Sequence, residues 1–147
     1  MAKNTFSLGV DKFINGFDEG AEKTMRTVAS KTFNAIVYAS PVNSGRFRGS
    51  WHATGKTPSS KGVGTLDKDG NKTAQKSEQT VLKLKDWSKF TLTNNLPYAN
   101  HLEFGLYKPG PNTVNGYSTQ AKSGMVRVNI ERAARLLEAE AKKNLPK

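Results

Sequence analysis

Between Val10 and Tyr38 one set of positions recurs at three or four residues: Val10, Phe13, Phe17, Ala21, Met25, Val28, Thr32 and Ile36. At 3.6 residues per turn such a set lies along one side of an α-helix. The pattern predicts a long amphipathic helix over 10–39, with a face that needs a second layer to cover it. Gly16 and Gly20 weaken its first half, each by about 1 kcal/mol relative to alanine. Ser40-Pro41 ends it, because the residue before a proline resists the helical region.

The rest of the chain divides around that helix. Residues 47–54 read as a strand, with Phe47, Trp51 and Ala53 as inward positions, and 89–94 as a second, where Phe90 and Leu92 alternate with Thr91 and Thr93. Between them, 55–79 is dominated by Gly, Ser, Thr, Lys, Asp and Asn, and Val63 and Leu66 are its only aliphatic side chains larger than alanine. With no helical period, it is expected to be a mobile loop or loose hairpin turning at Asp69-Gly70. Thr80 to Lys85 fits a strand or a short helix. Pro97 suits the first turn of a short helix over 97–104, closed by Gly105, and 106–123 reads as a loop. Over 125–143 a helix would place Val126, Ile130, Ala133, Ala134, Leu137 and Ala141 on one face, with Glu131–Arg135 and Glu138–Lys142 as i,i+4 pairs. The fold class expected is α+β in a single domain spanning 1–147. It is a small, mainly antiparallel sheet packed by a long N-terminal and a C-terminal helix, with long polar loops.

Charge narrows the partners. The 147 residues carry a net charge of +11, and +6 of it lies in residues 41–89, where ten basic side chains face four acidic ones. Such a field attracts polyanions or solubilises a surface, and it does not specify a fold. Lys56, Lys61, Lys68, Lys72, Lys83 and Lys85 are the candidate polyanion contacts. Arg46, Arg48 and Lys89 add to them, and Phe47, Trp51 and Trp87 interleave as stacking groups would. No helix-turn-helix or RNA-recognition signature accompanies them, so any contact with DNA is expected to be independent of sequence. Mean hydropathy is −0.63. No run approaches the roughly 18 apolar residues of a membrane span, and Met1-Ala2-Lys3-Asn4 does not open a signal peptide. The expectation is a soluble chain made in a cytoplasm, with no membrane partner.

Catalytic signals are weak throughout. Without cysteine there is no thiolate nucleophile, disulfide or cysteine-based metal site. His52 and His101 are the two histidines, and neither belongs to a metal-binding spacing. No G-x-S-x-G elbow is present, and Gly62-Val63-Gly64 lacks the context of a dinucleotide loop. Asp67-Lys68-Asp69-Gly70-Asn71-Lys72 through Glu78 follows a calcium loop except at its sixth position, where Lys72 replaces the glycine that makes the bend. A plain Asp-Gly turn accounts for it better. The expectation is no enzyme, no metal and no cofactor.

Three segments carry a resemblance. They are Gly45-Arg46-Phe47-Arg48-Gly49-Ser50-Trp51; Asn94-Asn95-Leu96-Pro97-Tyr98-Ala99 with Leu102-Glu103-Phe104-Gly105; and Tyr117-Ser118-Thr119-Gln120-Ala121 with Gly124-Met125-Val126-Arg127. Their order and spacing resemble the tail-completion (neck) proteins of long-tailed bacteriophages, the group that includes minor tail protein Z. Lys122 departs from the proline usual in that family, and Leu106 to Gly116 is longer than in compact members. The resemblance implies a structural virion protein at the head–tail junction. It would form a ring, sixfold to match the tail, that completes the tail and joins it to the filled head. Its partners would be copies of itself, adjoining connector, terminator or tail-tube proteins, and passing genomic DNA. A tail terminator, a capsid-side adaptor and a small basic nucleic-acid-binding protein are the alternatives. The resemblance also implies subunit contacts at Arg46, Arg48, Tyr98, Glu103 and Arg127, with Glu103 meeting a neighbour's Arg46 or Arg48. Trp51, Asn94, Asn95, Pro97 and Gly105 would be structural, the two asparagines capping the helix that follows.

Overall fold

The computed structural model describes residues 2–146, with side chains described from Asp18 onward. Helix α1 runs Ala2–Ala39, followed by a helical turn α2 at Arg46–Gly49, strand β1 at Trp51–Thr54 and helix α3 at Asn71–Lys83. Strand β2 at Thr91–Asn94 and the short helix α4 at Ala99–Phe104 come next, then β3 at Thr113–Val114, β4 at Tyr117–Ser118 and helix α5 at Val126–Asn144. The class is α+β. β1 and β2 pair antiparallel, Trp51 against Asn94 and Thr54 against Thr91, and β3 and β4 form a separate antiparallel pair.

The long helix is present, and it is packed from two sides, by α5 and by α3. Two partners demand a wider buried sector than one stripe. Accordingly Thr24, Ser30, Thr32, Phe33, Ile36, Val37 and Ser40 are buried, while Met25 and Val28 are only half-buried. The earlier stripe positions Val10, Phe13 and Phe17 lie outside the described side chains. Ser40 closes the helix: its amide bonds Val37 O at 3.2 Å and its hydroxyl donates to Ile36 O at 2.8 Å. The same hydroxyl oxygen accepts the Trp51 indole N–H at 2.8 Å, which ties the helix end to β1. The core beneath comprises Ile36, Val37, Phe47, Trp51, Leu96, Leu102, Ala121 and Met125.

Three expected elements are corrected. Residues 46–49 are a helical turn, and the strand starts only at Trp51. Phe47 is still buried, edge-on to Trp51 with ring centroids 5.6 Å apart. The cause is a backbone crossing, because a Cβ on Gly49 would lie 1.7 Å from Thr65 O and one on Gly64 would lie 2.0 Å from Gly49 O. Only two glycines permit that approach. The 106–123 segment is not plain loop either. Asn115 and Gly116, with φ of 52° and 86°, form the tight turn of a hairpin, as an Asn-Gly pair favours.

The largest correction falls within 55–79, whose last nine residues belong to α3. Its buried residues are Thr73, Ala74, Ser77 and Val81. They repeat at helical spacing, but three of the four are small or hydroxylated, so no apolar stripe appears. Asp67 starts the helix: one carboxylate oxygen accepts the Gly70 amide at 3.2 Å, the other the Thr73 amide at 2.8 Å and the Thr73 hydroxyl at 2.7 Å. The calcium-like D-x-D-x-N run is thus a helix cap. Burial pushes the Asp67 carboxyl up, and the Thr73 and Gly70 bonds outweigh it, leaving its pKa below the ordinary value. At the far end Arg26 of α1 donates to Val81 O and, at 2.6 Å, to Leu84 O. Asp67→Ala removes acceptors from three donors at the α3 start and is expected to cost about 2 kcal/mol. The expected readout is a lower denaturation midpoint, with early hydrogen exchange confined to 67–83.

Candidate assembly surface

The three sequence segments behind the resemblance meet at one junction. The Asn94 side-chain amide donates to Phe47 O at 2.9 Å, so the second segment grips the first. Gln120 clamps the backbone just before the first, accepting the Val42 amide at 2.8 Å and donating to Val42 O at 2.9 Å. Glu103 joins the second to the third. One of its carboxylate oxygens accepts the Met125 and Val126 amides, both at 2.8 Å, and the other accepts the Arg127 amide at 2.9 Å and Arg127 Nε at 3.1 Å. These are the free N–H groups at the start of α5, which has no capping side chain at Met125. Burial works against the charged carboxylate, and the bonds from Val126, Arg127 and Met125 prevail, so the Glu103 pKa lies below the ordinary carboxylate value.

That geometry corrects the expected role of Glu103. Its carboxylate caps a helix of its own subunit and is only 7% exposed, so its bonds are made within the subunit. Arg127 completes the same cluster and covers the Phe104 ring at 4.8 Å. Arg48 is also used internally, donating to Lys68 O at 2.7 Å, Ser40 O at 2.8 Å and Tyr38 O at 2.9 Å. Tyr98 is half-buried, 5.8 Å from the Phe47 ring. Arg46 is exposed, and its side chain has no hydrogen bond or ion pair among the described residues. The asparagines do not cap α4. Asn94 Oδ1 accepts the Leu96 amide at 3.2 Å, and Asn95 holds the 59–61 backbone by bonds to Ser59 O at 2.7 Å and Lys61 O at 2.8 Å. Pro97 lies in the turn before α4, and Gly105 closes that helix with φ 66°.

The lysines separate. Lys56 pairs with Asp86 at 2.9 Å on the surface. Lys61 and Lys72 line one cleft, where the structure adds Lys76 and His52. Lys68, Lys83 and Lys85 are exposed and are not among its lining residues.

Of the six residues that the sequence places on one face of α5, Val126, Ala133 and Ala141 are half-buried and three are open. Toward α1, helix α5 turns the half-buried Ala133 and Leu136 together with Asn129 and Glu140, both buried, the latter bonded to Lys31 at 3.0 Å. Ile130 is 55% exposed, Leu137 is 43% exposed, and Ala134 between them is exposed. At 100° per residue these three lie roughly a quarter-turn from the α1 contact. Phe104, Leu106 and Val114, on α4 and the hairpin region, are further large apolar side chains left open. Among the described residues no group of three histidine or acidic side chains could hold a metal ion, and no helix is long and apolar enough to cross a membrane. No family model matches the chain, and neither a curated protein nor a solved structure matches it.

Proposed function

We propose that this chain is a non-catalytic structural subunit that assembles with copies of itself, as a ring at the neck of a long-tailed bacteriophage. One observation carries the self-assembly: the flank of α5 formed by Ile130, Ala134 and Leu137 is apolar and open, while Asn129 and Glu140, with the half-buried Ala133 and Leu136, take the side toward α1. A helix whose apolar sector is only half covered by its own subunit is built for a second surface. Covering the exposed parts of Ile130 and Leu137 contributes about 2 kcal/mol per contact. A contact between unlike patches closes into a ring when its rotation fits. Phe104, Leu106 and Val114 are further exposed apolar side chains for that arrangement.

The phage neck is supported by the resemblance of the Gly45–Trp51, Asn94–Gly105 and Tyr117–Arg127 segments to tail-completion proteins. A tail terminator or capsid-side adaptor would use the same kind of subunit. The test is to make particles with Ile130→Asp/Leu137→Asp in place of the natural chain. Filled heads and finished tails should accumulate unjoined, because the ring between them does not close. Normally joined particles would overturn the reading.

A further inference from the structure

We propose that the cleft between β1, the 59–65 segment and α3 binds the phosphate groups of a nucleic-acid backbone. Two adjoining hollows of about 540 and 120 Å³ make up the cleft. Lys61, Lys72 and Lys76 line it with His52, and no aspartate or glutamate is among the lining residues. None of the three ammonium groups has an ion pair or hydrogen bond among the described residues. Three uncompensated cations around one hollow repel one another, and an anion between them removes that repulsion.

The walls of the cleft are fixed. Asn95 holds the Ser59 and Lys61 carbonyls, His52 Nε2 lies 3.0 Å from Gly62 O, and Ser50 Oγ accepts the Gly64 amide at 3.0 Å. Asp67, whose carboxylate bonds Thr73 of the lining, sets one negative charge beside the cleft against three positive ones. Side chains of this kind read charge and carry no base sequence. The site is separate from the α5 face and does not depend on the neck assignment.

The experiment is fluorescence titration of the full chain with a mixed-sequence duplex at several salt concentrations. Lys61→Gln/Lys72→Gln/Lys76→Gln should lower affinity at least about tenfold at low salt and reduce the salt slope by close to three. A control, Lys56→Gln/Lys83→Gln/Lys85→Gln, removes the same charge outside the cleft and should change affinity far less. Equal loss in both triple variants is what diffuse charge produces, and it would overturn the proposal. So would inorganic phosphate displacing the duplex stoichiometrically at constant ionic strength, which would make the cleft a free-phosphate site.

Discussion

Glu103→Ala is expected to lower the stability of the subunit by about 4 kcal/mol, a large share of the roughly 5–15 kcal/mol a domain of this kind possesses. Three backbone donors at the start of α5, from Met125, Val126 and Arg127, lose their acceptor together. A buried donor left unmade costs about 1–3 kcal/mol, and water recovers part of the sum. The helix dipole also loses its counter-charge. Glu103→Gln keeps the shape and one acceptor oxygen, so about half the loss is expected. The carboxyl pKa is held below its ordinary 4.5 in the folded chain. Its stabilisation is therefore complete above that value and disappears as pH falls through the lower, folded one. Asp67 and Glu140, also lowered, act in the same direction. Thermal melts followed by circular dichroism at pH 7 and pH 3 check both parts. The wild type should lose more stability over that interval than Glu103→Gln. A Glu103→Ala melt within a few degrees of wild type would mean that α5 does not depend on this cap.

Ile36→Asp is expected to leave the chain without a cooperative fold at room temperature. Ile36 is 3% exposed, within a core formed by Val37, Phe47, Trp51, Leu96, Leu102, Ala121 and Met125. Truncating a buried isoleucine costs about 2–5 kcal/mol before any charge is added. An unpaired carboxylate among aromatic rings and aliphatic chains adds several more. Met25→Asp is a useful contrast, because Met25 is only half-buried; a loss of about 1–2 kcal/mol is expected. The measurement is the urea midpoint of each variant. A sigmoidal transition for Ile36→Asp near the wild-type midpoint would place this residue outside the core.

The parts of the fold that were legible are those where side-chain type follows the geometry of a single element. The α1 repeat, the Phe90–Thr93 alternation and the charge pairs of α5 each identify their own element. Helix α3 was not legible, because its buried face is Thr73, Ala74, Ser77 and Val81, and small hydroxylated residues do not produce an apolar period. The hairpin did have a signal, the Asn115-Gly116 pair, which the loop-rich composition around it obscured. The role of Glu103 is non-local, since its donors lie 22 to 24 residues downstream. The only trace of it in the sequence is negative: a helix follows Gly124-Met125 without a serine, threonine, aspartate or asparagine to cap it. Such a helix needs an acceptor from another segment. The α5 stripe is legible as a set of residues that share a face, but periodicity does not state what covers it: Val126, Ala133 and Ala141 are half-buried, while Ile130, Ala134 and Leu137 are open.

That face is the centre of the account, and the mass of the particle in solution tests it most directly. Sedimentation velocity of the wild type over a range of concentrations should resolve one closed oligomer of defined mass, above the 16.1 kDa monomer. Ile130→Asp/Leu137→Asp should sediment as that monomer, with helical content unchanged and a melt that is still cooperative but no longer raised by assembly, since both side chains already face solvent in the isolated subunit. A double variant that assembles like the wild type, or a wild type that stays monomeric at every concentration, would contradict it.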